Sequence, residues 1–198
     1  YTSSVEDIFD LEEGQYNLTM TDQNMCEQIM SFDITAPDEL TLDFSVTPIL
    51  CFGDDNAAID MTINGGLPGY IIAWTGPNGF ISSDEDISNL EPGTYDVIVS
   101  DINFCMVIGS VEITEPDELD AQADVTPITC NGADDGAIDI TPNGGTPGYT
   151  VSWTGPNGFT SSDEDIADLE AGDYDLALTD ANDCQLNITI TIPDAQKR

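Results

Sequence analysis

Apolar and polar side chains alternate along one segment that occurs three times. In Leu90–Cys105 (LEPGTYDVIVSDINFC), Tyr95, Val97 and Val99 fall on one side, and Asp96, Ile98 and Ser100 on the other. Leu169–Cys184 (LEAGDYDLALTDANDC) repeats the first set as Tyr174, Leu176 and Leu178, and Leu11–Cys26 (LEEGQYNLTMTDQNMC) as Tyr16, Leu18 and Met20. Strict period two over this length predicts a strand with one buried face.

The rest of the chain reads the same way. Leu40, Leu42, Phe44 and Val46 alternate with Thr41, Asp43 and Ser45. A second strand buries Ile59 and Met61 (Ile138 and Ile140 later). A third places Tyr70, Ile72 and Trp74 inward (Tyr149, Val151 and Trp153), and Met30, Phe32 and Ile34 mark a last strand. Glycine-rich turns separate them, at Asn64-Gly65-Gly66-x-Pro68-Gly69 and at Thr75-Gly-Pro-Asn-Gly-Phe80, with a further turn expected at Thr2-Ser3-Ser4. Six or seven short strands without helical periodicity predict an all-β immunoglobulin-like β-sandwich. The Tyr after Leu-x-x-Gly stands where such folds place a tyrosine corner, and the Trp of the third strand reads as core.

The pattern returns every 79 residues. Cys51–Cys105 and Cys130–Cys184 align without a gap and are identical at 34 of 55 positions. Two complete repeats are expected, at 38–116 and 117–195, with 1–37 the C-terminal half of a truncated one. The chain has no initiator Met, no signal peptide and no membrane-length apolar run, and it reads as a window on a longer array. The junctions Ala36-Pro37-Asp38-Glu39-Leu40 and Glu115-Pro116-Asp117-Glu118-Leu119 are short and stiffened by proline. They predict beads laid end to end as a rod.

Charge narrows the partners. Against 39 acidic residues stand two basic ones, Lys197 and Arg198. Phosphate binding needs Lys and Arg, so nucleic acid is excluded and anionic membranes are disfavoured. The acids read first as a solvated, self-repelling surface. The cysteines occupy equivalent repeat positions, Cys51 and Cys105 in one repeat, Cys130 and Cys184 in the next. One pair per repeat predicts the disulfides Cys51–Cys105 and Cys130–Cys184 in an oxidising compartment, with the partner of Cys26 outside this window.

Three motifs in order carry a family resemblance. They are Cys-x-Gly-x-Asp-(Asn/Asp)-(Ala/Gly)-Ala-Ile-Asp, Gly-Gly-x-Pro-Gly-Tyr-x-x-x-Trp, and Leu-x-x-Gly-x-Tyr-x-x-x-x-x-Asp-x-x-x-Cys. Over almost the whole chain this resembles the SprB repeat of very large surface adhesins in Bacteroidota. The resemblance implies type IX secretion, anchoring at the outer-membrane surface, and arrays that serve adhesion or gliding motility. The implied partners are neighbouring repeats, the secretion and anchoring machinery, and surface polysaccharide.

Catalytic chemistry is not indicated. Without His there is no Ser-His-Asp triad and no His-bearing metal site, and no glycine-rich loop meets a Lys. Asp84-Glu85-Asp86 recurs as Asp163-Glu164-Asp165 and reads as a loop the fold needs rather than as a hydrolytic pair. Calcium is the one cofactor the residues suggest, since it takes clustered hard oxygens. Its candidate ligands are Asp54 and Asp55 with Asp101, and Asp134 and Asp135 with Asp180; a second candidate place is the junction, at Asp38 and Glu39 or Asp117 and Glu118. Two functions stay open: a non-catalytic stalk segment, and a module holding a glycan or protein at the Trp-Thr-Gly-Pro-Asn-Gly-Phe loop, where Phe80 and Phe159 are the candidate contacts.

Overall fold

The alternating segments become edge-to-edge antiparallel strands in a computed structural model that describes residues 7–195. The turn expected at Thr2-Ser3-Ser4 lies outside those residues. Strands β1 (Gly14–Thr21) and β2 (Glu27–Ile34) form a hairpin. Next come β3 (Thr41–Thr47), β4 (Ala57–Asn64), β5 (Ile71–Thr75), β6 (Ile81–Ser82), β7 (Ile87–Leu90), β8 (Gly93–Ser100) and β9 (Met106–Ile113). The second complete repeat provides β10 (Asp120–Thr126), β11 (Gly136–Asn143), β12 (Thr150–Thr154), β13 (Thr160–Ser161), β14 (Ile166–Leu169), β15 (Gly172–Thr179) and β16 (Gln185–Ile192).

Each complete repeat is a sandwich of a three-stranded and a four-stranded sheet. The orders are β3-β4-β7 and β6-β5-β8-β9 in one repeat, and β10-β11-β14 and β13-β12-β15-β16 in the next. The architecture is all-β and immunoglobulin-like. Ile59, Met61, Trp74, Leu90, Tyr95, Val97 and Val99 are buried between the first pair of sheets, as the alternation predicts. Ile138, Ile140, Trp153, Leu169, Tyr174, Leu176 and Leu178 do the same in the second. Val46 departs from the pattern and is 42% exposed near the end of β3. In the β1–β2 hairpin Leu18, Met20, Met30 and Phe32 are all exposed, because no second sheet lies across them among the described residues.

The recurrent motifs are accounted for by local contacts. The Tyr95 hydroxyl donates to the Glu91 carbonyl at 3.1 Å, and those of Tyr174 and Tyr16 donate to Glu170 and Glu12. Gly93 has φ +141, and a Cβ there would meet Pro77 Cγ at 2.4 Å, so the glycine lets the Pro-Asn-Gly turn close over the corner. Trp74 Nε1–H donates to the Asp84 carbonyl at 3.1 Å. Asp86 accepts from the Met61 N–H at 3.0 Å, which ties its loop to the neighbouring sheet. The same two bonds recur from Trp153 to Asp163 and from Ile140 to Asp165. The acidic loop therefore has a structural task in both repeats.

Strand direction fixes which loops meet. From the β3–β4 loop the chain crosses the bead five times, along β4, β5, β6, β7 and β8, before reaching the β8–β9 loop. Five traverses are an odd number, so the two loops lie at opposite ends. An eight-residue strand such as β8 separates them by about 26 Å.

Candidate functional site

Among the described residues, the feature that recurs from repeat to repeat is the joint between repeats. Its covalent part corrects the expected pairing. Cys51 is bonded to Cys184, 133 residues away, with the Cα atoms 5.6 Å apart. The pairs Cys51–Cys105 and Cys130–Cys184 do not form, and Cys105 and Cys130 are free and exposed, as is Cys26. The cause is the odd strand count: Cys51 and Cys105 sit at opposite ends of one bead, beyond the reach of any disulfide. The end of the first repeat that carries Cys51 instead faces the end of the second that carries Cys184.

Polar contacts continue the joint on both sides of the bond. Asn182 Nδ2 donates to the Leu50 carbonyl at 3.2 Å and to Thr146 Oγ1 at 2.8 Å. The connecting segment is held at both ends. Glu115 accepts from the Gly53 N–H at 2.7 Å in the repeat behind it, and the Asp117 carbonyl accepts from the Gly145 N–H at 2.8 Å in the repeat ahead. Leu119 is buried beneath that contact. Gly144 is required there: its φ is +68, and a Cβ would lie 1.8 Å from the Glu118 carbonyl oxygen. Gly65, Gly66 and Leu40 build the same seat for Asp38 and Glu39 one repeat earlier.

Two buried aspartates shape the loop that presents the cysteine. Asp101 accepts from the backbone N–H groups of Leu67, Asn103 and Cys105 at 2.9–3.0 Å. Asp180 does so from Thr146, Asn182 and Cys184 at 2.7–2.9 Å. The Leu67 N–H leads the interactions that lower the Asp101 pKa, outweighing burial. At Asp180 burial is the largest influence and opposes ionisation, yet the three N–H donors together lower the pKa. Burial raises the hydroxyl pKa of Tyr95 and Tyr174.

The structure does not assemble the calcium candidates. Asp54 and Asp55 lie on the β3–β4 loop and Asp101 at the far end of the same bead; Asp134 and Asp135 are separated from Asp180 in the same way. Asp101 and Asp180 already spend their oxygens on backbone donors, and Asp135 accepts from the Thr129 N–H and hydroxyl. At the junction, Asp38 and Asp117 contribute backbone carbonyls to the glycine seat. Among the described residues no group of three or more Cys, Asp or Glu is arranged to hold a metal.

Phe80 and Phe159 are half-buried. Each ring packs edge-on against a corner tyrosine, Phe80 on Tyr95 at 5.3 Å and Phe159 on Tyr174 at 5.4 Å. Phe159 also lines an open recess of about 440 Å³ with Asp134, Asn157, Asp168 and Glu170. In this recess a candidate ligand contact meets a concavity.

Comparison with known proteins agrees with the repeat architecture. The family model described as the SprB repeat matches residues 44–79 and 122–158, once in each complete repeat. The SprB repeat model thus matches this chain at two places, and that family implies a repeated, extracellular, adhesin-like segment. No curated protein matches. Among solved structures, one on the basis of Dscam isoform specificity is 12% identical with a TM-score of 0.33, and the match covers 89% of this chain and 53% of that one. Murine CEACAM1b is 13% identical with a TM-score of 0.31, over 78% of this chain and 100% of the other. The present chain thus spans about half the length of the Dscam chain.

Proposed function

We propose that this chain is a non-catalytic stalk segment of a secreted, surface-anchored adhesin, in which each repeat is a spacer and the ligand is held elsewhere. The observation that carries the reading is the joint: a disulfide, a glycine-seated linker and an Asn182 bridge all act between repeats rather than within one. A module that works alone has no use for such ties, whereas a stalk needs its beads held in sequence and in orientation. The absence of Lys and Arg before residue 197 suits an extended array, because like charge keeps successive segments apart and soluble. The family match and the oxidising compartment a disulfide needs support an extracellular place for the chain, and attachment at a cell surface, with gliding motility as one use, is part of this reading.

Small-angle scattering and a glycan-array screen of the whole chain test this reading together. A rod-like scattering profile with no saturable glycan binding is the expected result. A compact two-bead particle, or selective saturable binding of a glycan, would overturn it. The second reading, a repeated binding module, rests on the Phe159 recess; it predicts that binding found on the array is lost in Phe159→Ala while the fold is kept.

A further inference from the structure

We infer that the cysteines form a register-shifted ladder, in which the β3–β4-type cysteine of each repeat bonds to the β8–β9-type cysteine of the repeat that follows. Cys51–Cys184 is one complete rung. Cys130 and Cys105 are then the two open halves of the neighbouring rungs, and their partners are the equivalent cysteines of a following and a preceding repeat.

Three observations carry the assignment. First, Cys130 is the repeat-equivalent of Cys51, and Cys105 of Cys184, each displaced by 79 residues. The bonded pair therefore defines the chemistry that both free thiols are shaped for. Second, both free thiols are exposed at bead ends. Cys105 lies at the end where its repeat receives the preceding linker, and Cys130 at the end where its repeat hands on the next. Third, the supporting contacts are already in place on each open half. Asp101 holds the Cys105 N–H at 2.9 Å as Asp180 holds that of Cys184, and Asn131 Nδ2 reaches Asp194 at 2.8 Å beside Cys130. Within one chain Cys105 and Cys130 cannot meet, because they face outward from opposite ends of the two-repeat unit. This inference concerns covalent connection and stands whether or not the repeats also hold a ligand.

The chemistry is thiol–disulfide exchange. Two cysteine thiols give two protons and two electrons to a disulfide donor, such as a protein disulfide oxidase or glutathione disulfide, which leaves as two thiols.

The test extends the chain. Residues 1–195 are followed in register by a second copy of residues 117–195, and the product is oxidised with glutathione disulfide. The free thiols are alkylated, and an Asp/Glu-directed protease gives fragments for non-reducing mapping. Cys51–Cys184 should persist, and Cys130 should be bonded to the appended copy's equivalent of Cys184, losing its alkylation. Serine at that appended position should return Cys130 to full alkylation and leave Cys51–Cys184 intact, which also reports that the fold is kept. Cys130 bonded to Cys105 or to Cys184 of its own repeat would overturn the ladder. So would Cys130 remaining as reactive as Cys26, or loss of Cys51–Cys184.

Discussion

The ring of Phe44 fills the space that a side chain at residue 109 would need: a Cβ at Gly109 would lie 2.4 Å from Phe44 Cζ. One repeat later the same two positions are Ala123 and Ile188, both packed against the second core. The volume has moved from one strand to the other, which is how a core keeps its density while its residues change.

A double-mutant cycle follows from that exchange. Gly109→Ile overfills the first repeat and should destabilise it by about 1–3 kcal/mol. Phe44→Ala should cost about 2–3 kcal/mol, below the value for a fully buried Phe because this ring is partly exposed. The pair together recreates the second repeat's solution and should recover about 1–3 kcal/mol of coupling. Denaturant unfolding in a Trp153→Phe background reads the first repeat through Trp74. Strict additivity of the two changes would show that the volumes are not shared.

Much of this fold is legible in the sequence because period two marks the longer strands; β6 and β13 have only two residues, and β7 and β14 bury residues three apart, Ile87 with Leu90 and Ile166 with Leu169. Tyr95 and Trp74 announce themselves by their place after Leu-x-x-Gly and between inward apolar residues. Pairing within a repeat fails for a physical reason. Equivalence between repeats says which cysteines play the same part, but it is silent on which ones are near each other. Counting strands supplies the missing step, since an odd number of traverses between Cys51 and Cys105 sends them to opposite poles. The same parity separates Asp54 and Asp55 from Asp101. The role of Asn182 had no signal in the sequence, because its contact with Leu50 depends on how two beads abut.

Acid should act through Asp101 and Asp180. Each has a folded-state pKa below its unfolded value, so each contributes stability that is present above the unfolded pKa of about 3.9. That contribution is lost as pH falls through the lower folded value. Asp180→Asn removes the ionic part and keeps the shape. The variant should melt lower than the parent at pH 7, and the gap should close as pH falls from about 4 through the lower folded-state pKa, below which the parent's carboxylate is itself neutral. A gap that persists unchanged to pH 2 would assign the residue a steric role alone.

Cations should stabilise the chain by screening. The repeat 117–195 carries 17 acids and no base. Repulsion among them weakens as the Debye length shrinks from about 10 Å at 0.1 M salt toward 3 Å at 1 M. The carboxylates are spread over both ends of each bead rather than gathered, so calcium and magnesium should raise the melting temperature equally at matched ionic strength. Calcium acting alone at about 1 mM would instead require a coordinating site.

Tension along the chain should bypass most of both repeats. A pull entering at the start of the first repeat runs along β3 to Cys51, crosses the disulfide to Cys184, and leaves through β16. The intervening chain is closed off by the bond, which joins residues separated by 133 positions. At about 3.6 Å per extended residue, that segment holds on the order of 480 Å of length that an oxidised chain cannot release. Reduction removes the bypass, and β4–β15 then unravel under the same force. Force–extension measurement of single chains, held at their ends with and without reductant, should therefore show a contour length about 480 Å greater in the reduced chain. Cys51→Ser should show the longer value without reductant, which separates the bond from any other effect of the reagent. Equal contour lengths for oxidised and reduced chains would mean that force does not travel through Cys51 and Cys184, and that the joint orients the beads without protecting them.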